Sequence, residues 1–164
     1  NLAMRTFFNM LGPMANPANP AFQLVGVYNL EMARIYNYLL QLGGKPFTII
    51  HSLDGYDEIS LTSDTKVITH EGERVMTPEQ LGKRMVMSED ISGGNTVEDA
   101  AFIFRKILNG EGSWAQNAVV LANAAMALHC TGKYQSYDDS YNAAVQSLES
   151  GKAWKGLELL IGLQ

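Results

Sequence analysis

Apolar positions fall along this chain in two different patterns: short unbroken runs in the first half, and stripes spaced by three or four residues in the second. Phe22 to Tyr28 reads FQLVGVY and follows the breaker-rich segment Pro13 to Pro20, which predicts a strand. Asn29 is placed as a helix cap, and Met32, Ile35, Tyr36, Leu39 and Leu42 keep one face of the helix after it apolar. Glu31 in the first turn suits the positive helix end, and Gly43-Gly44 stop the helix. Phe47 to Ile50 is a second short apolar run, bounded by Pro46 and by the turn signal Asp54-Gly55. Strand, helix and strand with short joints make a βαβ unit, whose crossover is right-handed and whose strands lie parallel.

Further on, Ile59–Thr62 and Lys66–His70 read as more polar strand pieces around a turn at Ser63-Asp64. Thr77-Pro78 with Glu79 marks a short helix start. From residue 93 the pattern is helical. Asn95 with Glu98 resembles a capping box, followed by the stripe Val97, Ala100, Ala101, Phe104, Ile107 and Leu108 up to Gly110. Trp114 to Leu128 is apolar nearly all round, which predicts a buried helix. Two more helices are expected over about 138–150 and 153–162, separated by Gly151. The expected fold class is α/β, with a mostly parallel central sheet flanked by helices.

At 164 residues and 18.0 kDa the chain fits one domain, and 46% hydrophobic residues supply a sizeable core. Charged residues are only 18%, which predicts that part of the surface is covered by something else. Twelve basic against seventeen acidic residues give a net charge of -5, which argues against a general nucleic-acid or anionic-membrane binder. A single cysteine, Cys130, excludes an internal disulfide and fits a reducing, cytoplasmic setting. The longest apolar run, Ala118 to Leu128, is interrupted by Asn123 and is too short to span a bilayer. The chain opens at Asn1, and Met4 to Phe8 reads as the middle of an element, so a fragment of a longer protein is expected.

Candidate chemistry sits where a βαβ unit puts it, outside the carboxyl ends of parallel strands. There the segment His51-Ser-Leu-Asp54-Gly-Tyr-Asp57-Glu58 gathers three carboxylates within five residues. Oxygen ligands few in number suit Mg²⁺, which keeps waters and shares its shell with substrate phosphates. The alternative is a solvated acidic turn, the commoner arrangement on spacing alone. The loop through Gly12, Pro13, Pro17 and Pro20 is stiff enough to form a preorganised pocket wall, with a purely structural turn as its rival. His129 and Cys130 are sequence neighbours on a helix and therefore point apart, so a core or capping role outweighs a catalytic pair. His70 with Glu71 lacks companion ligands. The eight methionines are scattered as core filler, and Tyr134, Tyr137 and Tyr141 read as packing residues.

Arg5-Thr-Phe-Phe-Asn-Met-Leu-Gly-Pro-Met-Ala-Asn-Pro17 closely resembles the RT-x-FN-x-LGP-x-x-NP signature of the anthranilate phosphoribosyltransferase family. Gln23-Leu-Val-Gly-Val-Tyr28 resembles the strand that follows it. His51 with Asp54-Gly-Tyr-Asp57-Glu58-Ile-Ser60 resembles its H-x-x-DG-x-DE-x-S segment, and Gly93-Gly-Asn95 with Glu98 and Ser150-Gly-Lys-Ala153 follow in the family's order. The resemblance covers essentially the whole chain. It implies that residues 1–164 are part of a single α/β catalytic domain, the C-terminal half of a larger enzyme whose N-terminal helical region and diphosphate loop lie outside them.

By that resemblance Asp57 and Glu58 match the pair that holds Mg²⁺ on the diphosphate of phosphoribosyl diphosphate, and Gly12 and Pro13 match the bend that lines the anthranilate channel. The implied reaction transfers the phosphoribosyl group to anthranilate, giving N-(5-phosphoribosyl)anthranilate and diphosphate, in tryptophan biosynthesis. No general acid or base is assigned. The family's GTGGD loop, KHGNR-like loop and substrate arginine have no counterpart here, so these residues alone are expected not to complete catalysis. The family dimerises through its N-terminal helical region, so a homodimer is implied for the full-length protein. The competing expectations are a pyrimidine nucleoside phosphorylase-like enzyme, which the RTFFN-LGP-NP run does not resemble, and a non-catalytic nucleic-acid-binding relative. The latter calls for a basic groove and loss of the paired acids.

Overall fold

A computed structural model describes residues 12, 14–82 and 84–163. Strand β1 (Gln23–Gly26), helix α1 (Leu30–Gly43) and strand β2 (Phe47–Ser52) form the expected βαβ unit, with β1 and β2 paired in parallel from Gln23↔Phe47 to Gly26↔Ile50. Helix α1 starts where Asn29 accepts a hydrogen bond from the Met32 N–H at 2.8 Å. It ends where Gly44 takes the left-handed conformation (φ 64°) that a side chain disfavours.

The sheet departs from expectation beyond β2. Its order is β1-β2-β3-β4, where β3 is Thr65–Thr69 and β4 is Gly72–Met76, and both further pairings are antiparallel. The sheet is therefore mixed and not mostly parallel. Only two residues, His70 and Glu71, separate β3 from β4, and a parallel connection would need a crossover several times longer. Ile59–Thr62 is not a strand either: Leu61 has φ 59°, which an extended backbone excludes.

All six residues of β2 are buried, as a central strand covered on both faces requires. Phe47 and Ile49 join Val25, Val27, Met32, Ala33, Tyr36 and Ile68 beneath α1. On the opposite face Ile50, Val67 and Met76 pack with Ile59, Leu61, Leu81 and Val86 against helix α4 (Trp114–Cys130), through Ala115, Ala118, Ala122 and Met126. Small residues on α4 let the helix approach the sheet closely.

Between the sheet and α4 come the short helix α2 (Pro78–Gly82) and helix α3 (Val97–Leu108); after α4 come α5 (Tyr137–Glu149) and α6 (Lys152–Gly162), near their expected bounds. The cap of α3 lies one residue later than the sequence pattern proposes: Thr96, not Asn95, accepts from the Asp99 N–H. Asp99 in turn accepts from the Asn95 N–H, so Asn95 and Glu98 form no capping box. Of the apolar stripe on α3, only Ile107 is buried among the described residues, while Val97 is 81% and Phe104 50% exposed.

Tyr137 ties the second half to the first. Its hydroxyl proton is shared between the carbonyl oxygens of Leu81 at 2.8 Å and Ala122 at 3.1 Å. Burial, with Tyr141 and Asp138 beside it, pushes this phenol far above its ordinary range. A tyrosine that ionises more readily unfolded than folded supports the fold below about pH 10 and withdraws that support as pH rises further. Tyr137→Phe should cost about 1–2 kcal/mol at neutral pH, read by urea unfolding, because it leaves both carbonyls without this donor. It should also flatten the loss of stability above about pH 10. Equal alkaline sensitivity in variant and parent would assign that loss to other groups.

Candidate functional site

The loop that leaves β2 carries the acidic residues and is held by its own backbone. The Ser52 N–H donates to Tyr56 O at 3.0 Å, Gly55 N–H to Ser52 O at 2.9 Å, and Leu53 N–H to Asp64 O at 2.8 Å. The buried Ser52 hydroxyl donates to Glu58 O at 2.6 Å and accepts from the Ser60 N–H at 3.1 Å. Asp54 accepts from the Ser60 hydroxyl at 3.4 Å and from the Thr62 hydroxyl, so this acid is engaged within the loop.

Asp57 and Glu58 are different. Their side chains are exposed, and among the described residues neither forms an ion pair. Their backbone is fixed from below: a Cβ at Gly26 would lie 1.7 Å from Asp57 O, so the loop crosses directly over the last residue of β1. One residue on, Asn123 of α4 bonds both backbone groups of Ile59. The structure thus places Asp57 and Glu58 at the carboxyl end of the two parallel strands, where the βαβ topology predicts a ligand.

His51 sits under the same end. It is buried, and its Nδ1 lies 2.8 Å from Val27 O, a group that only accepts, so Nδ1 carries the proton. Leu61 holds its left-handed backbone fully buried, with Gly82 packed where a Cβ would come 2.2 Å from Leu61 Cδ1. Such a conformation costs on the order of 1–3 kcal/mol and persists where its surroundings enforce it.

Gly12 is exposed and lines an open cleft of about 580 Å³ with Asn16, Pro17, Pro20, Phe22 and Leu24. Pro13 lies outside the described residues. Lys45 ties this loop to the main body, donating to Asn19 and to Pro20 O at 3.2 Å. The cleft borders the start of β1, whereas Asp57 lies over its end, roughly 10 Å further along at the rise of a strand. Gly12 and the acidic pair therefore stand toward opposite ends of β1.

His129 and Cys130 turn to different partners, His129 edge-on to Tyr137 at 6.3 Å and the Cys130 thiol to Gln23 O at 3.5 Å. Sequence reasoning missed Gly26, Ser52 and Asn123. Of these, Gly26 carried a readable signal, because an isolated glycine inside a strand marks a close backbone approach.

Fold and loop together define a glycosyl transferase domain of α/β type. The family model "Glycosyl transferase family, a/b domain" matches residues 1–154, and the chain belongs to that family. Within it, the chain is similar to the anthranilate phosphoribosyltransferase of Flavobacterium johnsoniae, 54% identical over 159 residues that make up 97% of this chain and 48% of that protein. The crystal structure of anthranilate phosphoribosyltransferase from Thermus thermophilus is 30% identical, with a TM-score of 0.86 over 98% of this chain and 48% of its own. The Saccharomyces cerevisiae enzyme in complex with PRPP and Mg shares the fold at 24% identity, with a TM-score of 0.83 over 94% of this chain and 45% of its own. The chain spans about half the length of the relatives it matches.

The contact beneath the acidic loop makes a direct prediction. In Gly26→Ala the new methyl meets backbone, which cannot rotate away, so the loop must lift or the strand must shift. The expected cost is about 2–3 kcal/mol by chemical denaturation, the upper range for overpacking a tight site. A loss below about 0.5 kcal/mol would mean that the loop yields freely.

Proposed function

We propose that this chain is part of an anthranilate phosphoribosyltransferase, and that Asp57 and Glu58 bind Mg²⁺ on the diphosphate of phosphoribosyl diphosphate. The observation that carries the reading is the exposed carboxylate pair on a backbone fixed at the carboxyl end of β1 and β2. Two adjacent acids with no basic partner among the described residues repel each other, and a cation relieves that repulsion. The oxygen-only donor set fits Mg²⁺, which takes one or two protein carboxylates and fills its shell with water and phosphate. Among the described residues no three His, Cys, Asp or Glu side chains converge, so a dedicated protein cage is not what this loop offers. The 54% identity to the Flavobacterium enzyme and the PRPP and Mg in the yeast complex support the same assignment.

Transfer of the ribosyl group requires diphosphate to leave C1′, with positive charge developing on the sugar. Mg²⁺ supplies neutralisation of the charge that accumulates on the departing diphosphate. Asp57 and Glu58 hold and orient; they move no proton. Gly12 and Pro13 form part of the anthranilate-binding wall, and the residues present do not complete the reaction by themselves. The full-length protein works as a homodimer in the cytoplasm, without nucleic-acid or membrane partners. The net charge of -5 and the retained acidic pair support this over a nucleic-acid-binding relative, and no helix among the described residues is long and apolar enough to cross a membrane.

Asp57→Asn in the complete polypeptide removes one charge while keeping shape. The expected loss in rate is about a hundredfold or more, on the order of 3 kcal/mol of transition-state stabilisation, with a higher Mg²⁺ concentration for half-maximal rate. Stability without metal should hold or rise, because the repulsion is gone. Normal turnover with unchanged Mg²⁺ dependence would return Asp57 to an ordinary acidic turn.

A further inference from the structure

Asn123 interrupts the longest apolar run of the chain, on a helix whose buried neighbours are Ala118, Ala122, Ala125 and Met126. Its side-chain oxygen accepts from the Ile59 N–H at 3.0 Å. Its amide nitrogen donates to Ile59 O at 2.9 Å and to Val119 O at 2.9 Å. One N–H and one carbonyl of the same residue are thus read by one amide, which fixes which end of the amide is oxygen.

Ile59 follows Glu58 directly, and the carbonyl of Glu58 is itself held by Ser52. The acidic pair is therefore bracketed, by Gly26 beneath Asp57 and by Asn123 immediately after Glu58, while both acidic side chains stay exposed. An apolar residue would fill the space beside Ala122 and favour the helix slightly more. It would leave both polar groups of Ile59 without these partners.

We infer that Asn123 is a positioning residue for the Asp57–Glu58 metal loop, acting through the backbone of Ile59 from a rigid helix. This rests on the proposed role of Asp57 and Glu58. Loss of the clamp lets the carboxylates wander from the geometry in which they share an ion with diphosphate, while the anthranilate side of the reaction is untouched.

The test compares Asn123→Leu, which keeps the branching and the number of side-chain heavy atoms and removes every side-chain hydrogen bond, with the parent and with Asp57→Asn, all in the complete polypeptide. Amide hydrogen exchange at Ile59 should quicken about tenfold or more in the leucine variant, with the amides of Ala122 and Met126 still protected, because only the loop is released. The half-saturating Mg²⁺ concentration should rise about fivefold or more, and binding of Mn²⁺ with phosphoribosyl diphosphate, followed by electron paramagnetic resonance, should weaken in parallel, while KM for anthranilate stays within about twofold. Asn123→Asp keeps the acceptor for the Ile59 N–H and loses the donor to the carbonyls of Ile59 and Val119, so it serves if the leucine variant does not fold. Metal dependence unchanged in the Asn123 variants but raised in Asp57→Asn would overturn the positioning role and leave the site reading intact. Metal dependence unchanged in all of them would overturn both.

Discussion

The loop from Leu53 to Thr62 can lie across the end of the sheet because Gly26 has no side chain. Asp57 O occupies the space a Cβ would fill, and that close approach sets the height at which the acidic residues stand above the parallel strands. Much else follows from it. A loop pressed onto a strand loses water from its backbone, and every buried N–H and C=O must then find a partner. Ser52, Tyr56, Asp64 and Asn123 supply those partners at distances of 2.6–3.1 Å. Asp54, the acid nearest the strand, is consumed by Ser60 and Thr62 in the same task. What remains is Asp57 and Glu58, exposed and without an ion pair among the described residues.

This separates two demands that usually conflict. Burying carboxylates to fix them would cost several kcal/mol per ion in lost hydration. Here the main chain is held by hydrogen bonds and by its contact over Gly26 while the charges stay in water, so preorganisation does not carry that cost. Leu61 shows where tension enters the arrangement. Its left-handed backbone is enforced by Gly82 against its side chain and by the Val86 N–H on its carbonyl at 3.0 Å. The turn that returns the loop to β3 is thus wedged against the core, not left to find its own conformation.

The parts legible in the sequence are those whose signals are local. Asn29, the stripe on α1, Gly44 and the apolar runs on either side announce the βαβ unit within about thirty residues, and the acids stand directly after it. Strand β4 gives no such signal: Gly72-Glu-Arg-Val-Met76 is largely exposed and becomes a strand only by pairing with β3. Ile59 and Leu61 imitate a strand by alternation, yet both are buried by a bend that depends on contacts with distant segments. The same holds within the site. Asp57 and Glu58 were readable as residue types at a strand end, but the bond from Asn123 to Ile59 spans 64 positions, and no local pattern encodes it.

The antiparallel hairpin acquires a purpose in this light. Strands β3 and β4 bear no candidate chemistry, but Val67 and Met76 widen the apolar face on which α4 rests. Tyr137 then fastens α5 to Ala122 O, the residue beside Asn123, and to Leu81 O at the far side of the same core. The amide that grips Ile59 is therefore carried by a helix fixed on two sides, by the sheet below and by α5 behind. A clamp on a mobile element would only transmit its motion to the loop. Mounted on α4, it transmits the rigidity of the core to two exposed carboxylates, and rigid support of this kind is what a site must have if its charges are to meet a substrate's in fixed register.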